Sequence, residues 1–220
     1  MAVSKASAWS VGAVKVAAVI PAYNEAANIA RVLRPVVRSP VINEVIVVCD
    51  GCEDDTAAVA RRFQVKVVEL PRNVGKGGAM MAGVRHTDAS IILFLDADLV
   101  GLRYTHLRAL VEPVVRGEAD MTLGVFDHGR LATDLAQRLA PFLSGQRAIR
   151  REVIEDIPEL EQTGFGVEVA LSRYAEKHRL RVVKVPLPGL AQVMKEEKAG
   201  LWRGFRARMR MYWEILKSVR

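Results

Sequence analysis

Two carboxylates, Asp96 and Asp98, close the apolar run Ile91-Ile92-Leu93-Phe94-Leu95. Five apolar residues bounded by charge read as a buried strand of a parallel sheet. On a strand, residues i and i+2 point to the same side, roughly 6–7 Å apart. Open α/β sheets bind ligands at the carboxyl ends of their strands, which is where this pair falls. Acids so placed need a cation or hydrogen-bond donors, because a bare buried carboxylate is costly. The ordinary alternative is a strand ending in an N-cap aspartate for the next helix.

Three further loops carry chemistry. Pro21-Ala22-Tyr23-Asn24-Glu25 offers a ring and a carboxylate at a helix start, and Cys49-Asp50-Gly51 offers an acid beside a turn. Gly75-Lys76-Gly77-Gly78 offers small residues and one cation at a helix N-terminus, which suits phosphate. Taken singly, each has a plain reading: a solvated lysine, a packed tyrosine, a turn aspartate, a first-turn glutamate. Together, ring, acids and cation would converge on one sheet edge, as a nucleoside diphosphate requires. The chain lacks the G-x-x-x-x-G-K-[ST] of phosphate-binding P-loops, and no G-x-G-x-x-G follows its first strand.

The elements that must position these residues can be read from apolar runs and breakers. Val14 to Ile20, Val45 to Cys49 and Val65 to Leu70 read as strands before the Ile91 strand. Between them, Asn24 to Arg38 reads as a helix capped by Asn24, with Ile29, Val32, Leu33 and Val36 on one face. Asp54-Asp55-Thr56 opens a second helix, and the glycine loop opens a third that runs to about His86. Then follow a helix from Tyr104 to Arg116, a strand from Met121 to Val125, and a helical stretch from Leu131 to Leu139. A helix from Gly166 to His178 and a strand from Leu180 to Val185, stopped by Pro186 and Pro188, complete the series. This rhythm predicts an α/β fold with a mostly parallel sheet covered on both faces.

The 220 residues suit one large domain with a full core. No apolar stretch reaches about 18 residues, so no membrane-spanning helix is expected. Met1 to Gly12 lacks the basic start and apolar segment of a signal peptide, which makes the cytoplasm the expected location. Cys49 and Cys52 form one C-x-x-C pair, too few thiols for a four-thiolate zinc site; they read as incidental reduced thiols. The net charge is +7, of which +5 lies between Gly200 and Arg220 and only +2 in the remainder. Positive charge confined to one helix without a reading motif argues against nucleic acid as a partner.

Val19-Ile20-Pro21-Ala22-Tyr23-Asn24-Glu25, Val47 to Thr56, Asn73-Val74-Gly75-Lys76-Gly77 and Leu95-Asp96-Ala97-Asp98 occur in an order that resembles glycosyltransferase family 2. The resemblance implies a GT-A fold and sugar transfer from a nucleotide sugar, by family habit a UDP-sugar. It implies nucleoside contacts from Pro21, Ala22, Tyr23, Glu25 and Asp50. It places Gly75 and Lys76 near the diphosphate, and makes Asp96-Ala97-Asp98 the family's D-x-D. Spacing suggests that Asp98 holds Mg²⁺ or Mn²⁺ while Asp96 bonds the ribose or a water. The cation would stabilise charge on the departing diphosphate.

The second half is similar to the glucosyl-3-phosphoglycerate synthase-like members, through Ser144-Gly145-Gln146-Arg147-Ala148, Arg150-Arg151-Glu152 and Gly164 to Leu171. In those members the later segment shapes the acceptor side, and a histidine near the domain end helps hold the metal. The matching position here is Gln192, a weaker oxygen ligand. Glu168 is the candidate for contact with the acceptor hydroxyl, with catalytic contact weighed against a structural role. Gly145, Arg147, Arg151 and Gly166 are candidate acceptor residues, the arginines for an anionic group. A phosphate acceptor, already ionised, would need no general base.

From Leu201, apolar and aromatic residues recur at three- and four-residue steps with arginines between them. This segment reads as a basic amphipathic helix, docked on protein, on a second copy in a homodimer, or on an anionic membrane face. The expected layout is an N-terminal extension (1–13), a GT-A domain (14–199) and this helix (200–220). The expected function is sugar transfer to a phosphorylated small-molecule or lipid-linked acceptor. Two alternatives remain open. One is a non-catalytic binding or membrane-adaptor protein; the other, a nucleotidyltransferase, would carry a glycine- and arginine-rich loop where this chain has Pro21 to Glu25.

Overall fold

Val16–Ala22 is apolar at nearly every position, and such a segment is stable only where both faces are covered. It forms β1, an interior strand of a seven-stranded sheet. The computed structural model describes residues 14–126, 144–157, 160–162 and 166–193. Within them the order is β1, α1 (Ile29–Val36), β2 (Glu44–Asp50), α2 (Thr56–Arg61), β3 (Lys66–Leu70), α3 (Gly75–Arg85), β4 (Ile91–Phe94), β5 (Leu99–Val100), α4 (Tyr104–Val115) and β6 (Met121–Phe126). There follow β7 (Arg147–Arg150), α5 (Arg151–Glu155), a 3₁₀ turn (Leu160–Gln162), α6 (Val167–Lys177), β8 (Val182–Leu187) and β9 (Ala191–Gln192).

The strand order is β3-β2-β1-β4-β7-β6-β8, parallel except for β7, which runs against both neighbours. From β1 the chain moves to β2 and β3 on one side, then crosses to β4 on the other. That reversal opens a crevice at the carboxyl edge between β1 and β4. Alternate residues feed two cores. Ala18 and Ile20 pack with α1, α2 and α4, while Ala17 and Val19 pack with α3, α5 and α6. Gly83 of α3 lies so close that an added Cβ would stand 2.3 Å from Val19, which seats this helix tightly on the sheet.

Several expectations shift. The first helix starts at Ile29, not Asn24, because Asn24 adopts φ 54° and cannot open an α-helix. The fourth strand ends at Phe94, and Ala97-Asp98 form a turn. The alternation of buried and half-buried residues nevertheless continues through it, leaving Asp96 and Asp98 on the less buried side. β8 runs through Pro186, which an edge strand tolerates because it needs no inward N–H there. The Leu131–Leu139 helix, the terminal extension 1–13 and the helix 200–220 lie outside the described residues. Among those residues no helix is long and apolar enough to cross a membrane.

Candidate active site

The loops after β1 and β2 are stitched together at the carboxyl edge. The Glu25 amide donates to Thr56 Oγ1 at 2.8 Å, the Ala26 amide to Asp54 Oδ2 at 3.0 Å, and the Glu53 amide to Asn24 Oδ1 at 2.8 Å. Burial weighs against the Asp54 carboxylate, but bonds from Thr56 and Ala26 hold it below the usual range. Asn28 donates to Glu25 Oε2 at 2.7 Å, fixing that acid at the start of α1. Tyr23 stands 49% exposed above this stitching, its ring open to a flat ligand. Pro21 and Ala22 end β1 beneath it, paired to Val48 and Cys49.

Asp50 ends β2 and is buried. Its carboxylate accepts from the Val74 amide at 2.7 Å and the Gly75 amide at 2.9 Å, at the N-terminus of α3. An anion at that end satisfies amides that no helical carbonyl can reach. Asp50 thus positions the glycine loop, a task its sequence context did not reveal. Gly51, at φ 66°, has no room for a side chain: a Cβ would lie 2.4 Å from the Asn73 nitrogen.

Lys76, one residue into α3, points at the D-x-D turn. Its Nζ stands 2.5 Å from Asp96 Oδ1 and 2.5 Å from Glu168 Oε1 on α6. Burial opposes the ammonium, yet the two carboxylates push its pKa above the ordinary lysine value. Burial likewise works against Asp96, but Lys76, with Gln146, holds its carboxyl below the usual range. The other Asp96 oxygen accepts from Gln146 Nε2 at 2.7 Å and from Gln192 Nε2. Gln192 arrives on the β5–β9 ribbon, where it pairs with Leu99, and the Val193 amide donates to the Asp98 carbonyl at 3.2 Å. Gly101 and Gly189 let that ribbon close, since a Cβ on Gly101 would meet the Gly189 oxygen at 2.4 Å.

Gly145 lies directly over the Lys76–Asp96 pair: a Cβ there would stand 2.6 Å from both Nζ and Oδ1. Gly166 opens α6 with open space around it, one residue from the buried Val167. Arg147 is not available to an acceptor. It is fully buried and donates to the Ser144 carbonyl at 2.6 Å and the Glu168 carbonyl at 3.4 Å. Burial pushes its pKa down to about 10, against the attraction of Glu168 and Asp96. Arg151 lies at the opposite sheet edge, because β7 is reversed. Its guanidinium binds the carbonyls of Val84, Ala89 and Thr87, and pairs with Glu155 at 3.1 Å. Both arginines are structural. Gln146 and Ser144 enter the site without a role read for them beforehand; the signal was their place in the Ser144-Gly145-Gln146 segment.

The D-x-D turn thus lies at the switch point of a mostly parallel sheet, with the lysine-bearing N-terminus of α3 beside it. The chain belongs to glycosyl transferase family 2, whose family model matches residues 17–180. It is 29% identical over 209 residues to the glucosyl-3-phosphoglycerate synthase of Mycobacterium tuberculosis (strain ATCC 25618 / H37Rv), covering 74% of this chain and 63% of that protein. This chain therefore spans under two thirds of that relative's length. A 4,4'-diaponeurosporenoate glycosyltransferase of Staphylococcus aureus (strain MRSA252) is 37% identical over 98 residues, covering 42% of this chain and 26% of the relative. A crystal structure of the Mycobacterium tuberculosis synthase with Mn²⁺, UDP and glucosyl-3-phosphoglycerate matches with TM-score 0.70 and 27% identity. That match covers 84% of this chain and 77% of the other, and the shared architecture is the GT-A fold.

Proposed function

We propose that the protein transfers a sugar from a nucleotide sugar, a UDP-sugar, to a phosphorylated small-molecule or lipid-linked acceptor with the help of a divalent cation. The observation that carries this reading is the convergence of Asp50, Lys76, Asp96 and Gln192 on one sheet edge. The synthase from Mycobacterium tuberculosis has been crystallised with Mn²⁺, UDP-glucose and phosphoglyceric acid, which supports the donor, metal and acceptor class. A relative from Trichomonas vaginalis is a dolichyl-phosphate beta-glucosyltransferase, which supports the lipid-linked option. The flanking segment 200–220 would add contact with an anionic membrane face or a second copy.

In this reading Pro21, Ala22, Tyr23 and Glu25 face the nucleoside, Asp50 and Gly75 set the loop beside it, and Ala97 gives the donor a close approach. Lys76 exchanges part of its hold on Asp96 and Glu168 for the diphosphate. Glu168 then accepts from the acceptor hydroxyl. The donor set fits a hard cation only as a shared ligand. Among the described residues no three His, Cys, Asp or Glu side chains come together to hold a metal. Asp98 and the Gln192 carbonyl would hold Mg²⁺ or Mn²⁺ jointly with phosphate oxygens, a mode that suits Mg²⁺ in particular. When bound, the cation supplies countercharge for the leaving diphosphate.

Calorimetric titration of UDP and GDP, each with Mn²⁺ and with chelator, tests the reading. The expected result is UDP binding that weakens at least about tenfold on chelation or in Asp98→Ala. Absence of nucleotide binding in every condition overturns it.

A further inference from the structure

Gln146 is completely buried, yet its amide sits where both ends are spoken for. Nε2 donates to Asp96 Oδ2 at 2.7 Å, and Oε1 accepts from Ser144 Oγ at 3.1 Å. The orientation follows from chemistry: a carboxylate only accepts, so the NH₂ must face Asp96 and the carbonyl must face the hydroxyl. The backbone is cut to fit this side chain. A Cβ on Gly124 of β6 would lie 3.1 Å from the Gln146 Cβ, and the Gly124 amide donates to the Gln146 carbonyl at 2.8 Å.

Asp96 therefore has two glutamine donors on one oxygen, one buried and one exposed. Gln192 is exposed and stands on a two-residue ribbon strand, so its amide can exchange partners. Gln146 cannot, because Ser144 and the packing around it hold a single rotamer. We infer that Gln146, oriented by Ser144, is a positioning residue that holds the Asp96 carboxylate in place while Gln192 turns its carbonyl to the cation. The inference rests on the donor-site reading above. It implies that the D-x-D turn is aimed from beneath by a neutral donor, which fixes Asp96 without adding charge beside Asp98.

The test compares UDP affinity with Mn²⁺ and with chelator for wild type, Gln146→Met and Ser144→Ala, with thermal unfolding of each. Methionine keeps the length and removes the donor. The expected result is an Mn²⁺-dependent gain, taken against the same variant's UDP affinity in chelator, that is reduced about tenfold in Gln146→Met. Ser144→Ala, a smaller change, reduces that gain by about threefold and keeps the assignment testable if the methionine variant does not fold. Full retention of the Mn²⁺ gain in a folded Gln146→Met or in Ser144→Ala overturns the positioning role. A wild type that binds UDP with no gain from Mn²⁺ overturns the metal-assisted reading instead, and the inference falls with it.

Discussion

Lys76 is the residue on which this site turns. Two carboxylates at 2.5 Å share its single charge, with little of any of the three side chains in water. Removing it leaves Asp96 and Glu168 facing each other with, among the described residues, only the Arg147 guanidinium nearby and no cation bonded to either carboxylate, the situation that makes broken buried pairs expensive. Lys76→Met is therefore expected to lower stability by about 3 kcal/mol in urea denaturation and to abolish Mn²⁺-dependent UDP binding. Reading a lysine beside a glycine loop as a phosphate-binding group was within reach of the sequence. Its partners were not: Glu168 lies 92 positions later, and a sequence carries no mark of which distant carboxylate a lysine will meet. Arg147 and Arg151 show the same limit from the other side. Two nearby cations suggested an anion site, but Arg147 faces into the core and strand reversal carries Arg151 to the far edge.

Among the elements, α3 is held at both ends by charge. Asp50 takes the amides at its start, and Arg151 takes the Val84 carbonyl near its end, each matching the helix dipole. β8 is fastened differently. The Asp120 carboxylate, just ahead of β6, accepts from the Arg181 guanidinium at 2.7 Å and the Arg181 amide at 2.9 Å. The Arg181 bonds hold the Asp120 carboxyl below the usual range, with Arg150 adding to the effect. A lowered folded value means stability that is present above the ordinary aspartate pKa and lost as pH falls through the folded one. Much of Arg181 is in water, so screening keeps the gain small. Asp120→Asn should lower the melting midpoint at pH 7, with the gap to wild type closing below about pH 4. The parallel strands and most helices were legible because apolar runs and periodicity report burial directly. β7 was not, since Arg147-Ala148-Ile149-Arg150 begins and ends in charge and its partners are remote. The two-residue strands β5 and β9 carry no pattern long enough to read.

At the scale of the whole molecule, one edge of the sheet gathers the candidate site residues and the other carries fastening. The distribution follows from strand direction: β1, β2, β4, β6 and β8 all end at the site edge, whereas the reversed β7 begins there. β6 delivers Phe126 to that edge, and β7 sets out from it beside Ser144-Gly145-Gln146. The described residues on either side of 127–143, Phe126 and Ser144, thus both lie at the edge that holds Lys76 and the D-x-D turn. Because Asp50, Lys76 and the D-x-D turn sit on other elements, replacing residues 127–143 by the matching sequence of a relative with another acceptor should redirect acceptor choice in a transfer assay and leave UDP affinity as it was. A graft that abolished UDP binding would show that donor and acceptor recognition are not separable in this chain.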